Sequence, residues 1–170
     1  MQRIVAAAGL LIAAACTPTY NWREVPIEAT GLKATFPCKP EEVLHNTQFA
    51  PGQTIVLHAF RCEAGGATFV VLYGDVGTSD LATSLVQWKK ASEATIHSTP
   101  TSNRPWHPAG ALDLAPSSMT QASAAQNKGG ELQSQSGYFA RGTSIFQAVI
   151  YAPQLKVEFT EPFFTGLRFE

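Results

Sequence analysis

The sequence lacks an excess of charge of either sign. Its 170 residues include 12 Lys and Arg against 13 Asp and Glu, which gives a formal net charge of −1 at pH 7. Nucleic-acid-binding proteins usually cluster a basic excess on one face, so this balance argues against nucleic acid as a partner. The hydrophobic fraction, 45%, is ordinary for a folded chain and argues against disorder throughout.

The sequence also lacks a hydrophobic run long enough to remain in a membrane. The run over residues 4–15 has twelve residues, whereas a membrane-spanning helix needs about 17–25. Arg3 precedes this run and small residues end it, which is typical of a secretory signal peptide, predicted here over residues 1–15. A buried or amphipathic N-terminal helix is disfavoured because the run has no polar face.

The end of this run, Ile-Ala-Ala-Ala-Cys over residues 12–16, resembles the lipobox of bacterial lipoproteins, although Ala13 stands where the preferred pattern has Leu. The resemblance implies a diacylglyceryl group on the Cys16 thiol, cleavage before Cys16 and acylation of the new N-terminus. Two or more acyl chains give stable anchoring, whereas one gives marginal binding. The alternative is ordinary secretion with cleavage after Ala15. In Gram-negative lipoproteins, an Asp just after the lipidated Cys favours retention in the inner membrane. Thr17 stands at that position here, so in such a host the resemblance implies that the protein is anchored in the outer membrane and faces the periplasm.

Cysteine is scarce, with three residues in the chain. If Cys16 carries lipid, Cys38 and Cys62 remain in an oxidising compartment and are expected to form a disulfide. That bond closes a loop of about 25 residues and stabilises by about 3 kcal/mol in the chain-entropy model. Two buried free cysteines are the alternative. A redox pair is disfavoured because Cys-x-x-Cys is absent, and zinc because no second cysteine pair or spaced histidine pair accompanies them.

Proline and glycine divide the rest of the chain. Residues 16–30 have prolines and no clear period, which predicts a lipidated N-terminus and tether, and residues 31–170 are predicted to form a single globular domain. Alternation and β-branched residues predict strands over 53–62 and 67–73, joined antiparallel at Gly65-Gly66. Further strands are predicted over residues 31–36, 43–49, 111–114, 118–126, 131–140, 143–151 and 167–169.

The sequence predicts two helices. Apolar residues at spacings of three or four, after a capping Ser79 or Asp80, predict a helix over about residues 80–97. Three prolines predict a loop over 98–110, and a short C-terminal helix is predicted over about 155–165. The order predicts an α+β fold, a mainly antiparallel sheet with the helices against one sheet face.

One layout resembles a known family. It consists of Phe-Pro-Cys-Lys-Pro at residues 36–40, two strands, a helix, further strands, and a closing helix that ends in the aromatic-rich residues 163–169. This order resembles the PsbP-like fold over residues 31–170. The chain departs from that pattern at Cys38, where Gly is usual, and at residues 166–167, where Ser is usual. The resemblance implies an α–β–α-like sandwich and no particular activity.

Motifs for catalysis and metal binding are missing from the sequence. No two of the four histidines have metal-ligand spacing, and neither a Gly-x-Ser-x-Gly elbow nor a dinucleotide fingerprint occurs. We therefore predict no enzyme activity, no metal and no cofactor. Arg104, Trp106 and His107, in Arg-Pro-Trp-His-Pro, form a candidate binding loop. The alternative is a connection fixed by proline, in which Trp106 caps the core.

These patterns predict a lipid-anchored cell-envelope protein, a non-enzymatic accessory or assembly component. The expected partners are the membrane, through the lipid, and an envelope protein. The alternative is a periplasmic module that binds a small apolar ligand in a dry pocket beneath residues 98–110. An enzyme with a dispersed site is a third possibility.

Overall fold

The computed structural model of the protein describes residues 18–50, 52–126 and 130–170. The predicted signal peptide and Cys16 lie outside these residues. Within the described ranges, neither helix has the length and hydrophobicity required to cross a membrane.

Two antiparallel sheets and two helices make up the fold. A seven-stranded sheet has the order β3-β4-β5-β9-β8-β7-β6, and a three-stranded sheet has the order β1-β2-β10. The helices are α1 (Leu81–Thr95) and α2 (Val157–Thr165). The strands are β1 (Arg23–Ile27), β2 (Leu32–Phe36), β3 (Glu41–Ala50), β4 (Gln53–Ala64), β5 (Ala67–Asp75), β6 (Thr99–Pro105), β7 (Ser118–Ala125), β8 (Glu131–Arg141), β9 (Ser144–Ala152) and β10 (Arg168–Phe169). This arrangement confirms the predicted α+β class, with one longer helix and one short C-terminal helix.

The helices lie on opposite faces of the large sheet, so the expectation of helices against one face is wrong. Side chains alternate between faces along a strand. Phe69 of β5 faces α2, with ring centroids 5.8 Å from Phe159 and 5.5 Å from Phe163. Gln147 of β9 faces α1 and bonds to Trp88. Most residues of the central strands β5 and β9 are buried on both faces, so each face needs a covering layer.

Helix α1 begins where the sequence predicts it. Asp80 is the N-cap, and its Oδ1 accepts a hydrogen bond of 2.8 Å from the backbone N–H of Thr83. This bond satisfies one of the amide groups that the first turn leaves unpaired. Leu85 and Trp88 are buried against the sheet. The helix therefore covers β8 and β9 and leaves β3, β4 and β5 partly open on the same face.

The predicted tether is wrong over residues 20–30, because these residues belong to the fold. Strand β1 pairs with β2 along its whole length, and Trp22 packs with its ring centroid 6.1 Å from that of Phe69. The strand is short and contains Pro26, which weakens the alternation signal. Proline is tolerated here because β1 lies at the edge of the small sheet.

Two further predictions are wrong around residues 98–114. The predicted loop contains β6, an edge strand whose residues are all exposed, so it shows no alternation of apolar and polar side chains. The strand predicted over residues 111–114 is an irregular segment, although the backbone N–H of Leu112 donates to the carbonyl of Ala140, 2.8 Å away. Its apolar residues pack at the end of β8 rather than extending the sheet.

Candidate functional site

A cleft of about 340 Å³ lies between α1 and the part of the sheet that α1 leaves open; we call it the α1 cleft. Helix α1 forms one wall, the end of β3 forms the other, and side chains of β4, β5 and β9 form the floor. Its lining comprises Thr47, Gln48, Phe49, Leu57, Leu72, Gln87, Trp88, Ala91, Ser92, Thr95, Ile96, Gln147 and Tyr151.

Gln147 organises the polar part of the α1 cleft. Its Oε1 accepts hydrogen bonds from Nε1 of Trp88, at 2.7 Å, and from Oγ of Ser92, at 3.1 Å. Its Nε2 donates to the hydroxyl of Tyr138, 3.3 Å away. Burial raises the pKa of Tyr138 to about 12, so this hydroxyl stays neutral at ordinary pH. Burial also raises the pKa of Tyr151, which lines the cleft.

The remainder of the α1 cleft is mainly apolar. Phe49 stands 6.3 Å from Trp88 between ring centroids, and Leu57 and Leu72 supply the floor. Of the residues that the structure describes, no carboxylate, histidine, lysine, arginine or cysteine lines it. Among the described residues, no three potential metal ligands come together either. Such a lining suits apolar contact with a few orienting hydrogen bonds.

The structure joins the two cysteines that the sequence pairs. Cys38 and Cys62 form a disulfide with a Cα–Cα distance of 6.0 Å, which confirms the prediction. Cys38 follows β2 and Cys62 lies in β4. The bond therefore links the small sheet covalently to the large one.

The three residues of the candidate binding loop have different surroundings. Arg104 lies on β6, and its guanidinium donates to Sδ of Met119, 3.2 Å away. Trp106 packs 5.9 Å from Phe139 and 5.8 Å from Phe164 between ring centroids. His107 is exposed, with Nε2 3.6 Å from a carboxylate oxygen of Asp113.

Trp106 therefore places its ring on the core, as the alternative interpretation expects, and the segment does not present it as a free aromatic surface. The α1 cleft is also not the pocket expected beneath residues 98–110. Strand β6 lies at the other side of α1, near Lys89, whose Nζ donates to Asn103.

The two edge strands of the large sheet differ in how well they are protected against pairing with an additional strand. Strand β3 runs for ten residues without proline or lysine, and its Val43 and Leu44 are 44% and 59% exposed. Strand β6, at the opposite edge, contains Pro100 and Pro105 and a register shift after Pro100. Strand β3 has a register shift only near its end, between Gln48 and Ala50, and is regular from Glu41 to Gln48. Prolines and irregular register are devices that block pairing with another strand. The β3 edge therefore remains open to an additional strand.

No protein family, curated protein or solved structure matches this chain. The likenesses to bacterial lipoproteins and to the PsbP-like fold thus stay predictions, and the proposals below rest on the residues of this chain.

Sequence reasoning missed a histidine with a carboxylate partner. Nδ1 of His58 lies 2.8 Å from Oε1 of Glu42, and its ring stacks on Tyr73 with centroids 4.5 Å apart. The pair joins neighbouring strands β3 and β4, sixteen residues apart in the chain. No local motif signals such a pair, because only the strand register brings the two residues together.

Proposed function

We propose that this protein is a lipid-anchored cell-envelope protein that acts as a non-enzymatic accessory or assembly component. In this proposal it receives an extended segment of an envelope protein at the β3 edge. The contrast between the open β3 edge and the proline-blocked β6 edge carries the proposal. The lipid anchor rests on the lipobox-like residues 12–16.

An added strand satisfies main-chain groups and covers apolar side chains at once. An edge strand offers a row of unpaired N–H and C=O groups, and a bound segment gains affinity from pairing with them. Val43 and Leu44 are adjacent and therefore point to opposite faces, so an apolar residue of the partner can pack on each face. Exposed Glu41 and Glu42 favour a partner segment with a basic residue beside the start of β3.

Site-specific crosslinking tests this proposal. A photo-crosslinking amino acid replaces Asn46 on β3 or, as the matched control, Thr101 on β6; both residues are exposed. In intact envelopes we expect one dominant crosslinked protein from position 46 and none from position 101. Adding Leu44→Lys should abolish the product, because lysine disfavours strand addition. Equal products at both positions, or a product indifferent to Leu44→Lys, contradicts the proposal.

The anchor has a separate test. Mass spectrometry of the mature N-terminus should find Cys16 carrying two or three acyl chains. If Cys16 is unmodified, or if the mature chain begins at another residue, the proposed lipid anchor is wrong. The proposed binding at the β3 edge is tested separately by the crosslinking experiment.

The α1 cleft favours a second candidate, a periplasmic module for a small apolar ligand. Its volume of about 340 Å³ falls within the range of about 300–1,000 Å³ typical of ligand sites. N-phenyl-1-naphthylamine is a suitable apolar probe, since its fluorescence rises in a dry site. We expect Ala91→Trp, which fills the cleft, to abolish binding and Thr83→Trp, on an exposed part of α1, to preserve it. If the wild-type protein does not raise the fluorescence of the probe, this candidate function is excluded.

A further inference from the structure

We propose that the folded domain rests directly on the membrane surface, with one defined end towards the lipid. We call this the anchor end; it consists of Tyr20, the Gly65-Gly66 turn between β4 and β5, and residues 155–158 at the start of α2. The inference rests on the proposed lipid anchor at Cys16 and adds an orientation to it.

The chain between the proposed anchor and the fold is short. Tyr20 lies four residues after Cys16, so the two are separated by at most about 14 Å, even in a fully extended chain. The proposed acyl chains place Cys16 at the membrane interface. The part of the domain that holds Tyr20 must therefore lie within that short distance of the interface.

Tyr20 itself packs against the fold. Its ring centroid lies 6.1 Å from that of Phe159 on α2 and 5.9 Å from that of Trp22. A Cβ built on Gly65 would meet the Tyr20 hydroxyl at 2.3 Å, so the tyrosine lies directly against the β4–β5 turn. The next residue, Asn21, donates its backbone N–H to the Pro37 carbonyl at 2.8 Å. Little free chain is therefore left for the domain to move away from the bilayer.

The residues of the anchor end are of types that suit a membrane interface. Val157 is 71% exposed, the largest value among the exposed large hydrophobic residues described, and it follows half-buried Leu155 and exposed Lys156. An apolar residue beside a lysine suits the interface, because the lysine stem lies along apolar surface while its ammonium reaches water or headgroups. Tyr20 and Trp22 are also of the residue types enriched at membrane interfaces.

Four of the charges near the anchor end form ion pairs, and the guanidinium of exposed Arg23 donates to the backbone carbonyl of Asn21. Lys156 pairs with Glu158 at 3.9 Å, and Arg61 pairs with Glu63 just before the β4–β5 turn. The surface therefore presents apolar contact and compensated charge rather than a basic patch. It fits a phospholipid surface without a requirement for anionic lipid, and we expect the contact to persist in high salt.

This orientation leaves the β3 edge accessible. In the register of β3 with β4, Glu41 lies opposite Arg61 near the anchor end, whereas Ala50 lies opposite Gln53 at the other end of β4. Strand β3 thus starts near the membrane and extends away from it.

Fluorescence labelling of single cysteines tests the orientation. The acylated mature protein has no other free thiol once Cys16 carries lipid, because Cys38 and Cys62 are bonded to each other. A nitrobenzoxadiazole label is placed at Val157→Cys, at Gln154→Cys as a second position directly beside the anchor end, or at Leu112→Cys as the control. Gln133 of β8 lies at the anchor end, where its Oε1 accepts a hydrogen bond of 2.9 Å from the backbone N–H of Leu155. Leu112 bonds to Ala140, seven residues further along β8, which is about 24 Å from the anchor end.

Each variant is reconstituted in vesicles of phosphatidylethanolamine and phosphatidylglycerol. We expect labels at 157 and 154 to be quenched by doxyl lipid and protected from aqueous iodide several-fold relative to the label at 112, with little change in high salt. Vesicle flotation separates the two proposals. Protein that floats but shows equal iodide access at all three positions overturns the orientation alone, whereas protein that does not float overturns the anchor and the orientation with it.

Discussion

Gly137 occupies a position in which a side chain would meet the ring of Trp106. A Cβ built there lies 2.3 Å from Cζ3 and 3.0 Å from Cε3 of that ring. The ring is held between Phe139 and Phe164, so it has little room to withdraw. The absence of a side chain at residue 137 is therefore what allows Trp106 to cover this part of the core.

We predict that Gly137→Ala lowers the free energy of unfolding by about 1–3 kcal/mol, the usual effect of overpacking a core. Urea denaturation followed by circular dichroism measures the change. The control is the same substitution in a Trp106→Phe background, where the smaller ring should make it less costly. An equal cost in both backgrounds would show that Trp106 is not the cause.

At the scale of elements, ion pairs connect the three strands of the small sheet. Glu24 of β1 lies 3.4 Å from Nζ of Lys33 on β2 and also bonds to Arg168 of β10. The hydrogen bond from Arg168 is the main cause that holds the pKa of Glu24 below its ordinary value. Lys33 also pairs with Glu170, and this contact raises the pKa of Lys33.

These contacts predict a pH dependence of stability. Because the pKa of Glu24 is lower in the folded state than in the unfolded state, its carboxylate stabilises the fold above the unfolded pKa. That stabilisation disappears as the pH falls through the folded pKa. We expect Glu24→Gln to lower Tm at neutral pH and to match the wild type in acid. Glu28→Gln, outside the ion pairs of the described residues, serves as the control. Curves for Glu24→Gln and the wild type that stay parallel at all pH values contradict the prediction.

Elements with a local signal were predictable from the sequence. Helix α1 has a cap and a regular apolar spacing, and β4 and β5 have β-branched residues around a glycine turn. Strands β1 and β6 were missed because both are edge strands that contain proline. An edge strand is specified by its neighbour, and neither its own burial nor its own alternation reveals it.

The α1 cleft was beyond sequence reasoning for a different reason. Its lining runs from Thr47 to Tyr151 and comes from α1 and four strands. The positions of these residues depend on which face of the sheet α1 covers. Packing on both faces of β5 and β9 determines which face α1 covers. The continuous apolar runs of these two strands do not indicate that face in the sequence.

At the scale of the whole molecule, the N-terminal segment is part of the fold rather than a spacer. A chain that begins at Pro18 should fold and unfold cooperatively, whereas one that begins at Gly31 should lose near-ultraviolet circular dichroism and aggregate. The shorter chain lacks β1 and the two aromatic rings of Tyr20 and Trp22, which exposes Phe69 and the edge of β2. If residues 18–30 were only a tether, the two chains would melt alike.

The small sheet also orders events during synthesis. In the strand register of this sheet, Lys33 of β2 lies opposite Arg168 of β10, so the sheet joins segments that are far apart in the sequence. A growing polypeptide makes β2 long before β10, its second neighbour, and contacts so distant in sequence form slowly. Until then Leu32, Ala34 and Phe36 stay uncovered by α2 and β10. The nascent chain therefore carries an uncovered apolar strand until β10 has been made, and we expect holding chaperones to bind it during that time.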